Sequence, residues 1–209
     1  MDQYTFKRNG LLAEKVIKGL TSRNMTGHYA ESREAALKTA LELIPHGSSI
    51  AMGGCASAEE IGLVDAVKSG DYNYLDREAA ADRRAGMLAA YDADVYLASA
   101  NAMTEDGVLV NIDGNANRVS AIAFGPKKVI FIVGMNKICP DLDSAMKRAR
   151  NVAAPVNAQR FGLSTPCAKT GSCFDCKSPD TICCQFLITR FSRHADRIHV
   201  ILVNDSLGF

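Results

Sequence analysis

Two nearly continuous apolar runs constrain the fold of this chain more than any other feature of its sequence. Residues 127–134 read Lys-Lys-Val-Ile-Phe-Ile-Val-Gly, and residues 197–204 read Arg-Ile-His-Val-Ile-Leu-Val-Asn. A strand that is apolar at consecutive positions, rather than at alternate ones, is typical of a parallel sheet with helices on both faces. We therefore expect both runs to lie in the interior of such a sheet.

Shorter strands and amphipathic helices alternate over the rest of the chain. Helical spacing of apolar residues predicts helices over about 11–22, 32–44, 77–91, 117–124, 141–152 and 185–193. Short apolar runs predict further strands at 48–52, 73–75, 94–99 and 108–112. The alternation indicates the α/β class, with a mainly parallel open sheet and flanking helices. With 209 residues and no linker, the chain is expected to form a single domain, 1–209.

Local motifs refine two of the connections. The Glu-Asp-Gly turn at 105–107 predicts that the last two of the short strands form a hairpin appended to the main sheet. The glycine pair at 53–54 follows the first short strand and precedes a predicted helix. Ser57, with Glu60 three residues later, predicts a capping box at the start of that helix.

Clustered cysteines are the most specific chemical signal. The chain has seven cysteines, and five of them lie in a loop over 165–185 that is rich in turn-forming residues: the four candidate ligands Cys167, Cys173, Cys176 and Cys183, and the adjoining Cys184. The two-residue gap between Cys173 and Cys176 lets both sulfurs face one ion. Cys184 could replace Cys183 as the fourth ligand. Four thiolates suit an iron–sulfur cluster or zinc, and ligand type alone does not separate these. The alternatives are a redox disulfide and reduced thiols packed as small apolar groups.

Charge and hydropathy exclude several function classes. The chain has 24 basic and 23 acidic residues, a formal net charge of +1, so no overall field favours nucleic acid or a membrane surface. Residues 1–8 contain no apolar signal core, and no apolar run has the length that spans a bilayer. We therefore expect a cytoplasmic protein. Thiols are kept reduced there, which favours a metal or redox use of the cysteines over a disulfide scaffold.

A small anionic ligand is expected at the carboxyl edge of the sheet, where open parallel sheets bind their ligands. Glycines at 53–54 would let backbone N–H groups approach an anion, or serve only the geometry of the turn. The guanidinium of Arg118 could clamp a carboxylate or phosphate, or be a solvated side chain beside a capped helix. The candidate substrate-binding residues are Gly53, Gly54, Asn101, Asn117, Arg118 and Lys137.

Two further residues have candidate chemical roles. Glu105 could act as a general acid, base or nucleophile if it is buried, although a glutamate in such a turn is usually exposed. Cys55 could have a lowered pKa at a helix start, or be a small buried residue. Neither role follows from the sequence without knowledge of burial.

Several segments together resemble the LUD (lactate-utilisation) domain family. They are residues 93–97, 101–107, 110–114, 117–119, 124–130, 134–137, 154–158 and 202–208. The resemblance covers nearly the whole chain and is most specific in its middle third. Two departures stand out. Cys55 occupies the first hydroxyl position of a Gly-Gly-Ser-x-Thr turn that is common in the family, and Ala116 stands where a glycine is frequent.

The resemblance implies a fold similar to that of sugar-phosphate isomerases and CoA transferases, with a ligand cleft at the carboxyl edge. Members of the family act in bacterial oxidation of lactate to pyruvate, beside iron–sulfur subunits. The leading hypothesis is thus a redox component of lactate or organic-acid utilisation, possessing a cysteine-bound iron–sulfur cluster or zinc and working with iron–sulfur redox subunits. The alternatives are an enzyme similar to CoA transferases or sugar-phosphate isomerases, with Glu105 as nucleophile or base, and a non-catalytic regulatory subunit.

Overall fold

Ten strands form two sheets in this computed structural model, which describes residues 2–209, so that Met1 of the amino-terminal segment lies outside it. The strands are β1 (Thr26–Ala30), β2 (Ser49–Met52), β3 (Asn73–Tyr74), β4 (Val95–Ala98), β5 (Ala102–Thr104), β6 (Leu109–Asp113), β7 (Lys128–Gly134), β8 (Ile138–Cys139), β9 (Gln185–Thr189) and β10 (Ile198–Val203). The larger sheet has six strands in the order β1-β10-β7-β4-β2-β3, and every pair in it is parallel. The α/β class with a mainly parallel sheet is confirmed.

Helices cover both faces of the six-stranded sheet. In chain order, the helices of the described residues are α1 (Gln3–Ser22), α2 (Arg33–Leu43), α3 (Ala56–Glu60), α4 (Leu63–Ser69), α5 (Arg83–Ala89), α6 (Asn117–Ala123), α7 (Leu142–Arg148), α8 (Ala154–Arg160) and α9 (Pro166–Thr170). None of the helices within residues 2–209 is long and apolar enough to cross a membrane.

The two apolar runs lie at the centre of the large sheet, as predicted. β7 and β10 are neighbours, and their registers pair Val129 with Ile198 and Ile132 with Ile201. Successive side chains of a strand point to opposite faces. On β7, Phe131 therefore packs into the cluster that includes α1, whereas Ile132 packs into the cluster that includes α2 and α4. Both faces are buried, which explains the absence of alternation in these runs.

The hairpin prediction was right about its turn and its second strand, and wrong about its first strand and the sheet to which the hairpin belongs. Residues 95–98 form β4 inside the large sheet, between β2 and β7. The strand that pairs antiparallel with β6 is β5, with Ala102 opposite Val110, in a second sheet ordered β8-β5-β6-β9. Gly107, with a φ of 91°, lies in the turn between them. A strand as short as β5 has too few residues to show a pattern of its own.

The predicted helix over 185–193 is also wrong, because residues Gln185–Thr189 form the edge strand β9. β9 pairs antiparallel with β6, with Leu109 opposite Thr189. Five residues are too few to separate helical from strand periodicity, and the available hydrogen-bonding edge of β6 decides the outcome. Strand β1 was missed because its sequence, Thr-Gly-His-Tyr-Ala, is not an apolar run.

Two helices differ from their predicted bounds for identifiable reasons. Helix α5 starts at Arg83 rather than near residue 77, because the Asp82 side chain caps it by accepting the Arg84 N–H at 2.8 Å. Helical structure does not end near residue 152, as predicted. After α7 it continues through a π-helical segment, Ala149–Ala153, into α8. Pro155 lies just after that segment and has no N–H to donate, which accounts for the irregular turn.

Ala116 has a φ of 62°, in the left-handed region that glycine adopts without penalty. It precedes α6 directly. This conformation gives a physical reason for the frequency of glycine at this position in the family that the sequence resembles.

Candidate ligand cleft and cysteine cavity

A cavity of about 1020 Å³ lies where four strands of the large sheet end. Its walls include Gly53 and Gly54 after β2, Asn101 after β4, Lys137 after β7 and Gly208 after β10. This is the carboxyl edge, the expected position of a ligand site in an open parallel sheet. We call this cavity the cleft.

Lys137 is the most unusual group in the cleft. It is only 2% exposed, and its Nζ donates hydrogen bonds to Ser99 Oγ at 2.9 Å and Ser57 Oγ at 3.1 Å. No carboxylate within residues 2–209 forms an ion pair with this amine. Desolvation by burial lowers the pKa of Lys137 to about 8, and the guanidinium of Arg148 contributes in the same direction.

The segment that follows β10 covers Lys137. A Cβ atom added at Gly208 would lie 3.1 Å from Lys137 Nζ and 2.9 Å from Ser57 Oγ. The backbone N–H of Gly208 donates to Glu60 Oε1 at 3.0 Å, which holds the segment in place. Only a glycine leaves this space to the amine and the hydroxyl.

The capping box predicted at Ser57 and Glu60 is wrong. Helix α3 begins at Ala56, and the residue before it, Cys55, makes no side-chain capping bond. The Ser57 hydroxyl instead lies by Lys137 and 3.3 Å from the Ser99 hydroxyl, and Glu60 contacts Gly208. The polar groups of a capping motif are used here to build the cleft.

Arg118 crosses the cleft wall over Gly53. A Cβ at Gly53 would come within 2.9 Å of Arg118 Cδ and 3.0 Å of the Tyr96 hydroxyl, so glycine is needed for this close approach. The guanidinium donates to the Ile112 carbonyl, and its Nε lies 3.6 Å from Asp113 Oδ2. Arg118 therefore lines the cleft with part of its charge already compensated.

Arg160, which sequence reasoning missed, is an exposed cation of the cleft. Its guanidinium lies over the rings of Phe161 and Phe209, at 4.5 Å and 5.8 Å from their centroids. One of its nitrogens would be 3.6 Å from a Cβ at Gly54. Its position depends on the path of α8 after the π-helical segment, which no sequence motif signals.

The cleft has an excess of positive charge. Six basic and four acidic side chains line it. Three of the acidic groups are paired with cleft cations: Asp76 with Lys68, Glu78 with Arg77 and Asp113 with Arg118. The fourth, Glu59, is exposed. The cleft cations without an acidic partner in the described part of the chain are Arg83, Lys137 and Arg160.

All six residues predicted to bind substrate line the cleft: Gly53, Gly54, Asn101, Asn117, Arg118 and Lys137. Glu105 is not among the lining residues, and its carboxylate forms an ion pair with Lys15 at 2.5 Å. Asn101 uses its side-chain oxygen to accept the Ile112 N–H at 2.8 Å. Burial raises the pKa of the Cys55 thiol, which makes it a packing residue.

The cysteines of the loop line a second, smaller cavity of about 50 Å³. Its walls include Cys167, Cys173, Cys176 and Cys183, whereas Cys184 is exposed and does not line it. Two residues, Ala154 and Ile182, border both this cavity and the cleft. We call it the cysteine cavity.

Mutual proximity shapes the electrostatics of the cysteine cavity. Burial, followed by the neighbouring thiols Cys173, Cys167 and Cys176, raises the pKa of Cys183 to about 11. A guanidinium nitrogen of Arg150 lies 3.6 Å from Cys173 Sγ and 2.5 Å from Asp175 Oδ1. The repulsion disfavours the Cys183 thiolate, and the positive charge of a bound metal ion would offset it.

The side chains of the cysteine cavity are suitable metal ligands, but they are not arranged around a common centre. All seven cysteines are free thiols. Within residues 2–209, no group of three or more His, Cys, Asp or Glu side chains is arranged so that it could hold a metal ion. Binding would therefore require the loop to bring its sulfurs closer together.

The fold agrees with comparison to known proteins. The LUD domain family model matches residues 13–203, so the chain belongs to the LUD-domain family, as its sequence motifs indicated. A DUF162 family protein from Deinococcus radiodurans, with a crystal structure at 1.70 Å resolution, has a similar fold with a TM-score of 0.55. It is 14% identical in sequence, and the match covers 93% of this chain and 98% of that chain. No curated protein matches the chain.

Proposed function

We infer that the cleft binds the anion of a small organic acid, and that the protein serves organic-acid utilisation in the cytoplasm. The observation that supports this most directly is a buried amine, Lys137, in a cleft that also contains Arg160 and Arg83, where none of these three cations has a carboxylate partner among residues 2–209. A cation left without a partner in a desolvated site attracts an anion that supplies the missing charge. A carboxylate of two to four carbons such as lactate matches the positive charge of the cleft and the lactate utilisation for which the family is named.

We further propose that the four cysteines of the cysteine cavity hold a metal centre, an iron–sulfur cluster or alternatively zinc. Support comes from four thiols that share one cavity and from the wall that this cavity has in common with the cleft. An iron–sulfur cluster would exchange single electrons, whereas zinc would only brace the loop. With a cluster, the protein would be a redox component that works with other iron–sulfur subunits.

Replacing Arg160 by alanine is expected to weaken lactate binding by roughly tenfold to a hundredfold, because a charge-assisted hydrogen bond contributes about 1.5–3 kcal/mol. Calorimetric titration with lactate measures the change. Arg193→Ala is the matched control, because Arg193 is exposed and does not line the cleft. Equal affinities in the two variants would remove Arg160 from the site.

The choice of titrated ligand separates the alternative functions. Binding of phosphorylated sugars or CoA thioesters, without binding of lactate, would favour an enzyme similar to the isomerases or transferases. A Glu105→Gln variant would then test that residue as nucleophile or base. Absence of binding by all three ligand classes, together with absence of metal, would favour a non-catalytic regulatory subunit.

Replacing Cys173 and Cys176 together by serine is expected to abolish metal binding, because serine hydroxyls are poor ligands for zinc or iron–sulfur clusters. The measurement is iron, sulfide and zinc content after anaerobic purification. Cys184→Ser is the matched control and should keep its metal, because Cys184 lies outside the cysteine cavity. Equal metal content in the double variant and the wild-type protein would contradict the proposed site. Loss of metal from the Cys184→Ser control would indicate that Cys184, rather than Cys183, is the fourth ligand.

A further inference from the structure

We propose that Lys137 is a nucleophile that forms an imine with the carbonyl group of a 2-oxo acid bound in the cleft. The inference rests on the proposed carboxylate cleft and adds a covalent step to it. In this arrangement the cleft cations hold the carboxylate of the 2-oxo acid, and Lys137 Nζ attacks the adjacent carbonyl carbon.

The surroundings of Lys137 increase the fraction of its amine that is neutral. Its two hydrogen-bond partners, Ser57 and Ser99, are uncharged hydroxyls. Desolvation by burial is the main cause of its lowered pKa, and it outweighs the opposing effects of Cys55 and Glu60. The guanidinium groups of Arg148 and Arg118 act in the same direction as burial. With a pKa of about 8, roughly a tenth of the amine is neutral at pH 7, against less than one part in a thousand for an ordinary lysine. Only the neutral form has the lone pair that attacks a carbonyl.

Hydrogen bonding orients that lone pair. Ser99 Oγ donates to the Ile132 carbonyl at 2.7 Å, so Ser99 accepts a hydrogen bond from Lys137 rather than donating one. Ser57 Oγ accepts from Nζ at 3.1 Å and has its own proton to donate, to Ser99 Oγ at 3.3 Å or to a group bound in the cleft. The amine is thus held by two acceptors, and the Ser57 hydroxyl can exchange protons with it or with bound water.

The covalent step balances without an oxidant or reductant. The Lys137 lone pair forms the C–N bond as the carbonyl π bond breaks, which gives a carbinolamine. The former carbonyl oxygen then leaves as water, after it has taken one proton from the amine and one from solvent through the Ser57 hydroxyl. A protonated imine remains, with its positive charge beside the carboxylate of the bound acid.

The test is trapping of the imine with pyruvate as the 2-oxo acid and cyanoborohydride as the reductant. We expect one reduced pyruvate adduct for each chain, mapped by peptide mass spectrometry to Lys137. The Lys137 peptide should contain roughly tenfold or more adduct than the peptide of Lys68, a second cleft lysine that is paired with Asp76. Adduct spread evenly over the lysines would overturn the proposal.

Two comparisons separate this inference from the proposed function. Lactate has no carbonyl group, so wild-type protein should bind it and carry no adduct after the same treatment, whereas Lys137→Arg cannot form an imine and should lose the pyruvate adduct. Wild-type protein that binds lactate and forms no adduct with pyruvate would overturn the nucleophile and leave the anion cleft intact. Wild-type protein that binds neither lactate nor pyruvate would overturn both.

Discussion

Replacing Lys137 by methionine is expected to raise the free energy of unfolding at pH 7 by about 2–3 kcal/mol. The folded protein holds this amine at a pKa of about 8, against an ordinary value of 10.5, so keeping it protonated in the folded state is unfavourable. Methionine fills a similar volume without a charge. The gain would identify Lys137 as a group retained for function at the expense of stability.

The same lysine predicts a specific dependence on pH. Below pH 8 the amine is protonated in both the folded and the unfolded state, and the destabilisation is complete. Between about pH 8 and 10.5 the unfolded state keeps a proton that the folded state has lost, so the wild-type protein gains stability relative to the variant as pH rises. The advantage of Lys137→Met should therefore shrink across this window.

Denaturant unfolding at a series of pH values measures both effects. Lys38→Met is the control, because the Lys38 side chain is 80% exposed and its replacement should change stability by less than about 0.5 kcal/mol. A Lys137→Met protein that is less stable than the wild type at pH 7 would show that the amine has a stabilising partner.

Replacing Gly19 by alanine is expected to lower the free energy of unfolding by about 2–3 kcal/mol, although alanine is the better helix former. A Cβ at Gly19, near the end of α1, would lie 2.4 Å from the backbone carbonyl of Asp106. Backbone atoms cannot turn away as a side chain can, so α1 and the turn at 105–107 would separate. The Arg23 bond to the Asp106 carbonyl, 2.7 Å long, would be disturbed with them.

The same helix provides the control. A Cβ at Gly10 would meet only the Tyr29 hydroxyl, at an ordinary contact distance of 3.6 Å. Gly10→Ala should therefore stabilise the protein by about 0.5–1 kcal/mol through helix propensity and a less flexible unfolded chain. Thermal unfolding of both variants should shift in opposite directions. A shift of both in the same direction would mean that helix propensity or the unfolded state, rather than the contact with Asp106, governs Gly19.

The cleft could be predicted in part because several of its lining residues come shortly after the end of a strand. Gly53, Asn101 and Lys137 each come after a predicted strand, and parallel strands bring their carboxyl ends to one edge. Arg160 could not be predicted in this way. It lies at the end of α8, and the irregular turn before Pro155 sets its direction. The role of Gly53 was also predicted differently, because its close contact with Arg118 joins residues far apart in sequence.

The apolar runs at 127–134 and 197–204 were sufficient to predict the parallel core, because consecutive apolar positions are typical of a strand that is buried on both faces. The family motifs and the cysteine spacing were likewise legible in the chain itself. Three features are properties of the folded molecule: the lack of a carboxylate ion pair to Lys137 in the described part of the chain, the edge strand β9, and the four thiols around one cavity. Each depends on contacts between residues that are distant in sequence, and the local sequence does not specify which partners a side chain will contact.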